Sequence, residues 1–155
     1  MPAIAINHVS LCATCLETSV KFYEDLFGMT RIPTPNFGFP VQWLRVGDLQ
    51  IHLFERPGAP AVYHHVGLTV DNFEDVYGRA KALGIHDAET FGHYLSELPN
   101  GNVQMYVRDP AGNLLEVNYR NAASLPRELV VDMMKLAEKH PQNDENMRST
   151  LYLGS

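Results

Sequence analysis

The chain predicts an α+β fold made from two copies of one β-α-β-β-β unit, followed by a C-terminal helix. Three observations predict it. NHVSL at residues 7–11 returns as HHVGL at residues 64–68. Each stretch leads into a helical pattern that ends on a glycine. Each pattern then gives way to a pair of apolar strands joined by a tight turn.

Each element follows from local chemistry. INHVSLCA is apolar and rich in β-branched residues, which suits a strand. In TSVKFYEDLFG, Val20, Tyr23, Leu26 and Phe27 recur at helical spacing, with Thr18 as candidate N-cap and Gly28 as terminator. HHVGLTV repeats the strand. Asp71 and Glu74 read as a capping box, Phe73, Val76, Ala80 and Leu83 as the apolar stripe, and Gly84 as the stop. VQWLRVGDLQIHLFE predicts a hairpin turning at Gly47-Asp48, and VQMYVRDPAGNLLEVNY predicts one turning at Asp109–Asn113. The loops PTPNFGFP and HDAETFGHYLSELPNG leave room for a further short strand in each unit.

Module one is expected over 4–56, module two over 62–121, with residues 56–61 as linker by composition. Residues 122–155 form a C-terminal extension. SLPRELVVDMMKLAEKH predicts one amphipathic helix there, capped by Ser124, with Pro126 in its first turn. Leu129, Met133 and Leu136 would share a face, and His140-Pro141 would end it.

Composition narrows the function. With 155 residues, 45% apolar and 19% charged, the chain can bury a core. No apolar run reaches the roughly 18–20 residues of a membrane span, and the N-terminus lacks the plan of a signal peptide, so a cytoplasmic protein is expected. The net charge of −6, with scattered Lys and Arg, argues against nucleic-acid and membrane partners. The single CxxC, Cys12 to Cys15, follows a strand rather than opening a helix and reads as two small buried thiols.

Strand alternation gathers a candidate site. His8, Ser10 and Cys12 share one face of their strand, and His65, Gly67 and Thr69 share one face of theirs. If the two units pair about a pseudo-twofold axis, His8 and His65 meet across a concave sheet. Glu116, between the oppositely directed Leu115 and Val117, points into the same cavity. The equivalent residue of the first unit is His52. Glu55, three positions on, faces the other side. Two imidazoles and one carboxylate on a rigid sheet hold a divalent metal and leave positions open for substrate. His8, His65 and Glu116 are therefore the candidate ligands.

Residues 5–120 resemble the vicinal oxygen chelate superfamily, which includes glyoxalase I, bleomycin resistance proteins and extradiol dioxygenases. The resemblance rests on NHVSL, SVKFYEDLFGM, LQIHLF, HHVGLTVDN and YVRDPAGNLLEV. It implies His8, His65 and Glu116 as metal ligands, and paired βαβββ modules in a cupped, mostly antiparallel sheet. It also implies assembly as a homodimer. Glyoxalase I carries glutamate where this chain has His52, and epimerase-like relatives carry glutamine.

Histidine there is similar to the extradiol dioxygenases, as is Tyr106 ahead of the Asp-Pro-x-Gly turn. A further histidine lies upstream in those enzymes; His93 is the candidate, set further from Tyr106 than their signature. The resemblance thus implies an Fe(II) dioxygenase acting on a small catechol-like substrate, with His52 and Tyr106 catalytic and His93 and Trp43 binding substrate. Phe37, Phe39, Tyr63 and Tyr94 would complete an aromatic lining. Two alternatives stay open: a Ni, Zn, Mn or Co lyase or isomerase working through an enediolate, and a non-catalytic drug-binding protein.

Overall fold

The computed structural model describes residues 4–153, so positions 1–3 and 154–155 of the expected bounds lie outside the described residues. The first sheet joins β1 (His8–Ala13), β2 (Thr30–Ile32), β3 (Val41–Val46) and β4 (Leu49–Glu55) in the order β1-β4-β3-β2. Strands β1 and β4 run parallel, and the other pairs are antiparallel. The second sheet joins β5 (His65–Thr69), β6 (Leu95–Glu97), β7 (Val103–Arg108), β8 (Leu114–Tyr119) and β9 (Met134–Lys135) in the order β5-β8-β7-β6-β9. Helix α1 (Leu16–Phe27) follows β1, and α2 (Phe73–Leu83) follows β5. The predicted duplicate of β-α-β-β-β is therefore present, with its short strands at Thr30–Ile32 and Leu95–Glu97.

Two compact units result. The first holds residues up to Val66 together with Arg108–Leu114; the second holds Gly67–Val107 and the chain from Leu115 onward. In the first, Val20, Tyr23 and Leu26 of α1 are buried together with Leu44, Ile51 and Leu53 of the sheet. In the second, Phe73, Val76, Tyr77 and Ala80 of α2 are buried with Met105, Val107, Leu115 and Val117. Leu83, expected on the α2 stripe, is 60% exposed; Tyr77 takes the inward position instead. Both helices end as predicted, on Gly28 and Gly84 in the left-handed conformation that only glycine adopts cheaply.

The helix starts differ from expectation. The N-cap of α1 is Cys15, so the second cysteine does open a helix, while Cys12 lies in β1; both thiols are free, and Cys15 is exposed and Cys12 half-buried rather than both buried. Glu55 is the cause. Its carboxylate accepts from the Leu16 N–H at 2.8 Å, an acceptor supplied from β4 that lets the helix begin ahead of Thr18. Thr18 instead donates its hydroxyl to Cys15 Sγ at 3.2 Å, which lowers the thiol pKa. For α2 the N-cap is Asn72 rather than Asp71.

The single C-terminal helix is not formed. The chain folds as α3 (Arg127–Val130), the short β9, and α4 (Leu136–Lys139). The open edge of β6 accounts for the break, pairing in parallel with Met134 and Lys135 across from Ser96 and Glu97. Sheet hydrogen bonds satisfy an edge that helix propensity alone leaves bare. Leu129 and Met133 are buried as expected. Ser124 ends a 3₁₀ turn whose cap is the Asn121 side chain, bonded to the Ala123 N–H. No helix among the described residues is long and apolar enough to cross a membrane.

One buried polar node organises the first unit. Asp109 accepts from the Tyr23 hydroxyl at 2.7 Å, from the N–H groups of Ala111 and Asn113, and from the Asn113 carboxamide. That carboxamide also donates to the Cys12 carbonyl at 2.8 Å. Tyr23→Phe strips one partner from a buried carboxylate and is expected to cost roughly 1–3 kcal/mol in urea unfolding. Burial, then the Asp109 charge, raises the Tyr23 phenol well above its ordinary value. The stabilisation is full below the unfolded phenol pKa of about 10 and falls as pH climbs toward the folded value. The advantage of wild type over Tyr23→Phe is therefore expected to hold at neutral pH and to shrink above about pH 10.

Candidate functional site

In the first unit, strand register builds a ladder of rings. His52 pairs with Trp43 across β3–β4 and with Ser10 across β1–β4, and His8 lies two residues along on the Ser10 face. The Trp43 and His52 rings stack at 4.2 Å and 4°; the His52 and His8 rings stack at 4.1 Å and 12°. Phe37 extends the row from Trp43 at 6.1 Å, and Phe39 from Phe37 at 6.2 Å. The Arg56 guanidinium sits 4.1 Å over Phe39. Trp43, His52 and His8 are thus brought together, along with the Phe37 and Phe39 of the expected aromatic lining.

The histidines differ in which ring nitrogen is hydrogen-bonded. His8 Nδ1 pairs with Asn7 Oδ1, and His65 Nδ1 with the Tyr63 carbonyl at 2.9 Å. The Tyr63 carbonyl can only accept, so His65 Nδ1 donates and the neutral ring keeps its lone pair on Nε2, the arrangement of a metal-ligating imidazole. His52 is bonded through the other ring nitrogen, its Nε2 pairing with Gln50 Oε1 at 2.9 Å. Burial, then the neighbouring His8, holds the His52 pKa below its ordinary value. His65 also lines a cleft of about 330 Å³ together with Val9–Cys12 of β1.

The second unit gathers Glu116, Tyr106 and His93. Glu116 is 6% exposed, and its Oε2 accepts from the Tyr106 hydroxyl at 2.8 Å. Burial, then the Glu116 charge, raises the Tyr106 pKa. The Tyr106 ring meets Phe91 at 4.8 Å and the edge of His93 at 6.1 Å. Burial lowers the His93 pKa, with the Lys139 charge contributing next. Tyr94 does not join this group. It stacks on His86 at 4.6 Å, and His86 in turn contacts Tyr77 of α2, so His86 is a half-buried packing residue rather than a surface one. A wider groove of about 720 Å³ beside the start of α2 holds none of the candidate residues.

Among the described residues, no three His, Cys, Asp or Glu side chains form a group able to hold a metal. The chemistry of the donor set nonetheless fits a divalent ion. His65 has the tautomer of a ligating imidazole, and the Glu116 carboxylate, bonded to Tyr106 at Oε2, has Oε1 on the side of Gly67. A Cβ at Gly67 would stand 3.9 Å from Oε1, so the glycine leaves that approach open. Gln50 and Tyr63 carry no sequence signal beyond lying two residues from a candidate histidine.

Comparison with known proteins matches this architecture. Residues 5–117 match the profile of the Glyoxalase/Bleomycin resistance protein/Dioxygenase superfamily. The uncharacterized protein YwbC of Bacillus subtilis (strain 168) is 26% identical over 122 residues, 72% of this chain and 94% of that protein. A crystal structure of lactoylglutathione lyase from Agrobacterium tumefaciens is 26% identical at a TM-score of 0.58, covering 76% of this chain and 94% of that one. The oxidase ChaP-H2, 22% identical, shares the fold at a TM-score of 0.62, covering 79% and 98%. With its family profile spanning most of the chain and both β-α-β-β-β units in place, the protein belongs to the glyoxalase/bleomycin resistance/dioxygenase superfamily.

Proposed function

We propose that the protein is a metal-dependent enzyme in which His8, His65 and Glu116 hold one divalent ion, Fe(II) being the favoured identity. Its favoured reaction is extradiol-type cleavage of a catechol-like ring. The observation that carries this reading is the ring ladder from Phe37 through Trp43 and His52 to His8. A planar aromatic ligand is matched to such a wall, and its vicinal oxygens suit the ligand at its end. Held by His8, His65 and Glu116, a divalent ion would supply Lewis-acid and redox chemistry at the ligand's oxygens.

The chain's own residues have separate tasks in this scheme. Trp43, stacked on His52, is a substrate contact. His52, held between two rings and by Gln50 at Nε2, is the base that takes the substrate hydroxyl proton at Nδ1. Tyr106 orients the Glu116 carboxylate through its hydroxyl, and His93 stands at the Tyr106 ring edge as a substrate contact. The assembly is proposed to be a cytoplasmic homodimer.

A lyase reading has its own support, the 26% identity to the lactoylglutathione lyase structure. Two assays separate them. Fe(II)-loaded protein given a catechol panel in an oxygen electrode is expected to consume oxygen and form coloured ring-opened products. Absence of uptake, with turnover of a methylglyoxal–glutathione hemithioacetal on the Ni or Zn form, would replace the dioxygenase with the lyase. Turnover in neither assay would leave a binding protein.

His52→Ala sharpens the assignment. It is expected to keep the metal and to lower kcat by on the order of 100-fold or more. Loss of the metal would contradict the proton-transfer role and make His52 a support for His8.

A further inference from the structure

The strand register that builds the row of rings runs on past the end of β4. Trp43 opposes His52 and Val41 opposes Phe54 across β3–β4. The Glu55 N–H then donates to the Pro40 carbonyl at 2.9 Å, and the Arg56 N–H to the Ala13 carbonyl at 3.2 Å. Both ladders of β4 therefore continue for another step. By alternation, the next opposed pair on the His52 face is Phe39 and Arg56. The side chains bear this out, with the Arg56 guanidinium 4.1 Å over the Phe39 ring. The neighbouring carboxylate, Glu55, is engaged elsewhere, at the Leu16 N–H.

Arg56 stands apart from the other cations of its unit. Lys21 pairs with Asp25, and Arg31 with Glu17 and Glu24; Arg45 donates to the Gly47 carbonyl and Arg108 to that of Gly112. Among the described residues the Arg56 guanidinium has no such acceptor, and its contact is the face of a ring. Stacking covers the guanidinium plane and leaves its N–H donors at the edge, in the fork that matches a carboxylate. Beside it lies open apolar surface, Phe37 at 49% and Phe39 at 37% exposure. Phe37 stands 6.2 Å from Phe39 and 6.1 Å from Trp43, so cation and rings form one continuous row with His52 and His8.

We propose that Arg56 is the anion-recognition residue of this row, pairing with the carboxylate of a planar aromatic acid whose ring lies against Phe37 and Phe39. The ligand class is thereby narrowed from aromatic compounds at large to those carrying an acid group. This rests on the reading of the row as a wall for an aromatic ligand, and it requires no metal.

Trp43 is the single tryptophan of the chain and belongs to the row, so its emission reports occupancy. Benzoate and its neutral isostere benzamide are titrated into full-length protein, as purified and after EDTA, with cyclohexanecarboxylate as a competitor. Wild type is expected to bind benzoate about tenfold more tightly than benzamide in both states, and to bind cyclohexanecarboxylate more weakly than benzoate. Arg56→Gln is expected to lose the preference and keep its affinity for benzamide, and Arg56→Lys to restore part of the preference. Arg56 is exposed, so both variants are expected to melt close to wild type.

Unchanged preference in Arg56→Gln would overturn the proposal, as would an equal loss of benzoate and benzamide, the sign of a structural role. A preference that disappears with EDTA would assign the carboxylate to a bound metal and overturn it too. Equal binding of benzoate and benzamide by wild type would overturn it while leaving the aromatic wall standing. Cyclohexanecarboxylate as tight as benzoate would overturn the aromatic wall, and with it the aromatic acid. Binding of no probe would overturn both.

Discussion

The Asp109 carboxylate accepts from Tyr23, from two N–H groups of its own turn and from the Asn113 carboxamide, all in the first unit. This node shapes the turn between β7 and β8, and turn geometry sets hairpin register. The register matters because strand side chains alternate. A slip of one residue would turn Glu116 into the apolar side and put Leu115 in its place. The node also ties helix α1 to the turn through Tyr23, which is fully buried. The hydrogen bond between Tyr106 and Glu116, and the approach of Asn118 to Gly67, all presuppose that one register.

Much of this arrangement was legible in the chain because period-two alternation and glycine punctuation are local properties. NHVSL and HHVGL marked β1 and β5, Gly28 and Gly84 marked the helix ends, and Gly47-Asp48 marked the first hairpin. What escaped depends on partners distant in sequence. The start of α1 is set by Glu55, and the C-terminal break by the edge of β6. The stacking of Trp43, His52 and His8 arises from the register of three strands, which no spacing along one strand reveals.

The duplicated units have diverged in chemistry while keeping their order of elements. The first offers stacked aromatic and imidazole rings on an open face, with Phe37 49% and Phe39 37% exposed. The second offers a buried phenol, carboxylate and carboxamide. The position equivalent to Glu116 holds His52, so repeat-related positions carry a carboxylate in one unit and an imidazole in the other.

The central claim is that His8, His65 and Glu116 together hold one metal ion. Elemental analysis of protein purified without oxygen, added metal or a histidine tag tests it most directly, comparing wild type with His8→Ala, His65→Ala and Glu116→Gln. The account predicts close to one divalent ion per wild-type chain and its loss from each variant, iron being the expected element. A wild type that holds no metal and takes none up on titration, or variants that keep it, would contradict the account.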